Sequence, residues 1–187
     1  MRVGDVAVAL LAAGQGRRFG SDKLLAPIDG VPMGLHIART LDAFDFAARF
    51  VVCAAGFPLA AAFQRLGFST LINENPQNGQ ASSLHIAIRA AENTNAQALL
   101  VVLADMPFVT AGHIQTVINC GRLAASHDGS AAMPPALFPR ASWSSLRAAQ
   151  GDAGGRTLLS TATLVPAPPS ELRDIDVVAD LPTPGQS

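Results

Sequence analysis

Val6-Ala7-Val8-Ala9-Leu10-Leu11-Ala12-Ala13-Gly14-Gln15-Gly16-Arg17-Arg18-Phe19-Gly20-Ser21-Asp22-Lys23 is the stretch from which the rest of the chain is read. It opens with an apolar run, Val6–Ala12, that is continuous and short. An amphipathic helix would interrupt such a run with polar residues every third or fourth position, and a half-exposed strand would alternate. A strand buried on both faces, as in a parallel sheet, does neither. The run passes directly into Gly14, Gly16 and Gly20. A glycine turn after a first parallel strand lets backbone N–H groups approach an anion closely. A secretory leader would also end an apolar run in small residues, but Asp5 stands in the region that should be basic, and the run is short for one.

Working outward, the same kind of run recurs at Phe50–Ala54 and Leu99–Leu103. Helical spacing lies between the runs: Leu35, Ala38, Leu41 and Phe44, then Leu59, Ala62, Phe63 and Leu66 with Gly67 as the stop. Leu84, Ile86, Ile88 and Ala91 predict a helix after Ser82 and Ser83. Ile114, Val117, Ile118 and Leu123 predict another, capped by Thr110. Strand and helix alternate, so the class is α/β with a mostly parallel sheet. From about Ser130 the pattern changes. Pro134, Pro135 and Pro139 break it, Trp143–Ala148 reads as a short helix, Gly151–Arg156 as a turn and Thr161–Pro166 as an edge strand. This second part reads as a cover over the sheet, and the end from Pro182 to Ser187 should fray.

Composition narrows the function classes. The chain has 187 residues, a net charge of -1, 49% hydrophobic and 14% charged residues. A chain of this length buries about 70% of its unfolded surface, so one domain needs no staples. Near-neutral charge argues against a nucleic-acid binder, and no apolar run approaches the ~18 residues of a membrane span. Cys53 and Cys120 make no disulfide framework, which points to a reduced, cytoplasmic setting. His36, His85, His113 and His127 lack zinc-site spacing.

The glycine loop admits several readings. Gly14 is not followed by Gly-Lys-Ser/Thr, so this is not a Walker loop. The spacing Gly14-x-Gly16-x-x-Phe19 misses the third glycine of a dinucleotide fingerprint, although Gly14-x-Gly16-x-x-x-Gly20 is close to some short-chain dehydrogenases. Arg17, Arg18 and Lys23 then gather within seven residues, and Lys23 is the only lysine in the chain. A compact ammonium on a flexible stem can follow a phosphate, where a guanidinium makes a fixed fork. Triphosphate binding and a merely solvated loop both remain open on these residues. Likewise Asp105, at the end of Leu99–Leu103, stands where open α/β sheets bind ligands. Its carboxylate suits Mg²⁺, while an Asp close before a Pro also fits an ordinary turn.

Leu11-Ala12-Ala13-Gly14-x-Gly16-x-Arg18-Phe19-Gly20-x-x-Lys23-Leu24-Leu25-Ala26-Pro27 resembles the signature of the MobA-like nucleotidyltransferases, and within them the molybdenum cofactor cytidylyltransferases. The resemblance runs from about Val6 to Leu181. It implies a Rossmann-like three-layer nucleotidyltransferase fold in one domain, with a nucleotide-binding half over about 6–127 and an acceptor-side half over about 128–181. It implies that Leu11, Ala12, Ala13, Gly14, Gly16, Arg18 and Lys23 wrap the nucleotide, with Arg18 and Lys23 on its phosphates. Leu103-Ala104-Asp105-Met106-Pro107 matches the family's metal-binding segment, so Asp105 is implied as a Mg²⁺ ligand. Asp174-Ile175-Asp176 resembles a second one and points to Asp176, with Asp174 and Asp176 on one side of a short strand and Val177-Val178 in place of Thr-Pro. Gly79 and Ser83, in Gly79-x-x-x-Ser83-Leu84, are implied beside the nucleotide.

Arg140 and Arg156 fall in segments that resemble the acceptor side of the pocket. Each could hold the acceptor's phosphate or serve a structural pair. The implied reaction joins CTP to a phosphorylated pterin carrying molybdenum and releases pyrophosphate, with a molybdoenzyme as a possible downstream partner. The alternatives are a GTP-dependent or other-acceptor transferase, a non-catalytic carrier of nucleotide or cofactor, and an NAD(P)-binding reductase. The last lacks the Tyr-x-x-x-Lys pair, since the chain has no tyrosine.

Overall fold

The computed structural model describes residues 1–13, 23–148, 156–175 and 180–181. Gly14, Gly16, Arg17, Arg18, Gly20, Gly151 and Asp176, all singled out above, lie outside the described residues, as does the end from Pro182.

The elements run β1 (Val6–Leu11), β2 (Pro27–Ile28), β3 (Val31–Pro32), α1 (Met33–Leu41), β4 (Ala48–Cys53), α2 (Ala60–Arg65), β5 (Ser69–Ile72), α3 (Gln80–Glu92), β6 (Ala98–Leu103), α4 (Ala111–Asn119), β7 (Ala124–His127), β8 (Ala132–Pro139), α5 (Trp143–Ala148), α6 (Arg156–Leu159) and β9 (Thr163–Pro166). Seven strands form one sheet in the order β5-β4-β1-β6-β8-β7-β9, and β2 and β3 make a separate hairpin. The strands β5, β4, β1 and β6 are mutually parallel. β8 runs antiparallel to both β6 and β7. This is the mostly parallel α/β sheet, Rossmann-like, that the alternation predicts.

β1 is buried along its whole length. Val6, Val8 and Leu10 face one core, with Ile37, Ala38 and Leu41 of α1, Phe63 of α2, and Ile114, Val117 and Ile118 of α4. Ala7, Ala9 and Leu11 face the other, with Leu84, Ala87, Ile88 and Ala91 of α3 and Trp143 and Leu146 of α5. Period-two alternation therefore builds three layers from one strand. The small side chains of Ala7 and Ala9 leave room for α3 to pack against β1, which sets where the start of α3 stands relative to the end of β1.

The prolines need a correction. Residues 132–139 form no cover: β8 is the longest strand and lies inside the sheet. The pairing jumps from Ala125↔Ala136 to Ser126↔Met133, so Pro134 and Pro135 fall in the irregularity between the two registers. A residue without an N–H is tolerated there because no ladder bond is required of it. Arg173, Asp174 and Ile175 also differ from expectation: they follow no strand geometry. The α3 helix begins at Gln80, so Ser82 and Ser83 lie in its first turn rather than before it.

Candidate functional site

The neighbouring parallel strands β5, β4, β1 and β6 end at one edge of the sheet, at Ile72, Cys53, Leu11 and Leu103. Backbone pairing continues one residue further: Ala12 N–H donates to Val52 at 2.8 Å, Asn73 N–H to Cys53 at 2.8 Å, and Ala104 N–H to Leu11 at 3.0 Å. The chain leaves the sheet only after these bonds, so Ala13, Asn73 and Asp105 rise from a fixed platform. The Leu11 carbonyl and the Ala12 N–H are spent in the ladder. Leu11 also walls a cleft.

Lys23 and Asp105 meet at this edge. Lys23 Nζ lies 2.7 Å from Asp105 Oδ2, with side chains 10% and 23% exposed. Lys23 opens a 3-10 turn, Lys23–Leu25, whose Leu24 is sunk into the core, so the turn cannot swing away as a whole. An ion pair this shielded is screened less by salt than a surface pair, and removing either partner strands the other charge.

Gly79 and Ser83 stand at the start of α3. Gly79 has φ +79° and ψ -176°, a conformation closed to other residues without strain. The Ser83 hydroxyl is buried and accepts from Asn73 Nδ2 at 2.9 Å, while the other Asn73 hydrogen goes to Ser82 Oγ at 2.8 Å. Asn73 Oδ1 accepts the Asn75 N–H at 2.9 Å. One buried amide thus ties the end of β5 to the first turn of α3. Sequence reasoning passed over Asn73; its only signal is a polar residue directly after a strand.

A cleft of about 920 Å³ opens beside this edge, walled by Leu11, Leu84, Val101, Leu103 and Met106 and by Met133 across from them. Its polar wall includes Gln80, Asp128, Ser160, Ser170, Arg173 and Asp174. Ile175 N–H donates to the Asp105 carbonyl at 3.0 Å, bringing the described chain to within one residue of Asp176. Asp128 is held by its own turn, accepting from Ser130 N–H and Oγ and Ala131 N–H on Oδ1. The Ser130 hydroxyl and these amides lower its carboxyl to about 2.

Arg140 serves the scaffold. Its guanidinium donates to the Ala96, Glu92 and Thr94 carbonyls at 2.8, 3.1 and 3.2 Å and lies over Trp143. It closes the end of α3 and is not turned to an acceptor phosphate. Arg156 begins α6.

His36, His113 and His127 also serve the scaffold. His36 Nε2 donates to the Ile28 carbonyl at 3.0 Å, and His127 Nδ1 accepts from Gly129 N–H. Ser126 Oγ donates to the Pro135 carbonyl at 2.8 Å and accepts from His113 Nε2 at 2.7 Å, which fixes the His113 tautomer. Burial pushes the His113 imidazole below its ordinary value, opposed by the weaker pull of Glu171. Among the described residues no three His, Cys, Asp or Glu side chains converge as metal ligands. Asp105 therefore offers hard-oxygen chemistry of the kind Mg²⁺ uses when one or two carboxylates and substrate phosphates complete its shell.

A parallel sheet whose carboxyl edge presents a lysine and an aspartate beside a deep cleft is the framework of nucleotide-handling α/β enzymes. Residues 8–167 match the MobA-like NTP transferase domain, and the chain belongs to that family of nucleotidyltransferases. It is 27% identical over 184 residues to the purine catabolism protein PucB of Bacillus subtilis (strain 168), covering 93% of this chain and 90% of that protein. It is 33% identical over 111 residues to a probable molybdenum cofactor guanylyltransferase of Pyrococcus horikoshii, covering 59% of this chain and 54% of that one.

The fold is shared with the crystal structure of a Mycobacterium tuberculosis rv0371c homologue from Mycobacterium sp. strain JC1, at TM-score 0.79 and 21% identity over 96% of this chain and 94% of that one. It is shared also with the Mycobacterium tuberculosis Rv0371C complex with manganese, at TM-score 0.68 and 19% identity over 87% and 88%. No helix among the described residues is long and apolar enough to cross a membrane.

Proposed function

We propose that this chain transfers CMP from CTP to the phosphate of a molybdenum-carrying pterin and releases pyrophosphate. The observation that carries the transferase chemistry is the 2.7 Å pair of Lys23 and Asp105 at the carboxyl edge of the central strands. A cation for phosphate and an anion for metal stand together where a triphosphate would cross from the loop after β1 to the end of β6.

No protein nucleophile is needed. An acceptor phosphate oxygen attacks the α-phosphorus, forming the new P–O bond as the bond to the β-phosphate oxygen breaks, and the electron pair leaves with pyrophosphate. Asp105 would hold the divalent cation, with Asp176 as the second carboxylate; when bound, the ion supplies charge neutralisation at the α-phosphate and the leaving group. Lys23 and Arg18 bind the phosphates, Gly14 and Gly16 offer backbone N–H groups to them, and Ala13 carries the loop outward. Gly79 lets the chain turn into α3, and Ser83, oriented by Asn73, offers its hydroxyl toward the nucleoside. Positioning and electrostatics supply the catalysis.

The preference for CTP rests on the likeness of Ala12-Ala13-Gly14 and Leu103-Ala104-Asp105-Met106-Pro107 to the cytidylyl branch. The reading with GTP is favoured by the guanylyltransferase similarity. Purified chain, Mg²⁺ or Mn²⁺, each of the common nucleoside triphosphates and the pterin acceptor, read by pyrophosphate release, decide between them. Release with CTP alone supports the first reading and release with GTP alone the second. Nucleotide binding without release under any combination points to a carrier.

A further inference from the structure

We propose that Arg173 grips the phosphate of the acceptor and that the apolar wall of the cleft receives the acceptor's ring system. This inference rests on the transferase reading for its substrate class, a phosphate monoester on a flat heterocycle whose faces can lie on apolar side chains.

The cleft wall is unequal. One part is Leu11, Leu84, Val101, Leu103, Met106 and Met133, and Arg173 is the single cation among the described lining residues. The other charges there are Asp128 and Asp174, which repel a phosphate from the rest of the cleft; Asp174 has an interaction of its own.

The Arg173 guanidinium is exposed, lies 5.2 Å from the centre of the Phe108 ring, and has no carboxylate partner among the described residues. Four other arginines are committed elsewhere: Arg2 to Asp5, Arg49 to Asp42, Arg147 to Glu92, and Arg140 to carbonyls; none of them lines the cleft. A guanidinium resting on a ring face keeps its N–H fork in its own plane, free for the two parallel bonds that a phosphate accepts.

Its place is fixed from both sides. Two residues before it, the Glu171 carboxylate accepts from Thr110 N–H at 3.0 Å and from the Thr110 hydroxyl. Two residues after it, Ile175 N–H holds the Asp105 carbonyl at 3.0 Å. Phe108 follows Asp105 by three residues. The ring beneath the guanidinium and the chain that carries it are therefore both anchored at Asp105. A phosphate on Arg173 is held at the Asp105 end of the cleft, where its oxygen must be to reach the α-phosphorus.

The test uses the full chain with Arg173→Ala, Arg173→Lys and, as a control outside the cleft lining, Arg147→Ala. Three quantities are measured: nucleotide affinity by calorimetry, the acceptor KM in pyrophosphate release, and direct binding of inorganic phosphate followed by NMR. Arg173→Ala should raise the acceptor KM about 10- to 100-fold, the range of a lost charge-assisted pair, and abolish the inorganic phosphate binding that perturbs the Phe108 ring signals. Nucleotide affinity should stay within twofold. Arg173→Lys should recover part of the loss, and Arg147→Ala should match wild type.

An unchanged acceptor KM, or inorganic phosphate perturbing the Phe108 ring signals equally in wild type and Arg173→Ala, overturns the proposal. If wild type binds no nucleoside triphosphate, the transferase reading falls by itself. Arg173-dependent phosphate binding would still stand in that case, so the two failures are distinguishable.

Discussion

At the scale of residues, the site turns on the chain's one lysine. An ammonium on four flexible carbons can leave Asp105 and follow a phosphate, which a guanidinium fork does less readily. In the proposed role Lys23 meets the β- or γ-phosphate, so Lys23→Ala should weaken CTP binding at least tenfold and CMP binding within twofold, measured by calorimetry. Equal losses for both nucleotides would place Lys23 elsewhere. Asp105→Asn keeps the size of the side chain and removes the charge. It should lower the melting temperature, because the Lys23 ammonium loses its partner, leave CTP affinity near wild type, and reduce pyrophosphate release by about two or more orders of magnitude, the signature of an interaction that matters most in the transition state. Unchanged pyrophosphate release would instead make Asp105 a turn residue. Both residues stood out in the sequence, Asp105 just after a short apolar run and Lys23 as the chain's one lysine; that the two meet shows only in the fold. Arg173 was not legible, since its meaning depends on the Phe108 ring and the Thr110 and Asp105 anchors, which are distant in sequence.

At the scale of elements, β8 and α4 carry the lesson about what patterns can say. The prolines of β8 read as breakers because the bulge that accommodates them depends on the register with β7. Thr110, by contrast, was legible as a cap because its reach is local: its hydroxyl accepts from His113 N–H at 3.1 Å. The His113 ring beyond it joins α4 to β7 and, through Ser126, to β8. Its imidazole is held below the ordinary value by burial. The unfolded chain therefore binds the proton first, and the contribution of His113 is complete above about pH 6.5 and lost as pH falls through the depressed folded value. Denaturant melts at pH 7.5 and pH 5.5 should show the wild type losing more stability on acidification than His113→Gln does. Equal losses would show that His113 titrates alike in both states.

At the scale of the whole molecule, the sheet separates two cores, and its central strands serve both. Leu100 on β6 is fully buried on the side of α1, α2 and α4. Leu100→Ala should cost about 3 kcal/mol by urea denaturation, a large part of a domain's usual 5–15 kcal/mol or so. A loss under about 1 kcal/mol would mean that the core closes over the gap. The α/β class was legible because continuous apolar runs and helical periods alternate, and each is a local signal. The order of strands was not, because inserting an antiparallel β8 between β6 and β7 is decided by packing between segments remote in sequence.

The short pair between Lys23 and Asp105 has one more consequence, if both act as proposed. A resting site that satisfies its own anion has little appetite for a bare divalent ion, since the ion must first displace a nearly dry ammonium. A triphosphate that draws Lys23 away removes that competitor, so nucleotide and metal should bind with positive cooperativity. Linkage makes the effect reciprocal: the factor by which CTP tightens Mn²⁺ equals the factor by which Mn²⁺ tightens CTP. Mn²⁺ titrations followed by electron paramagnetic resonance should show weak binding to the free chain and tighter binding with CTP. Lys23→Met should bind the ion more tightly unaided and lose much of the coupling.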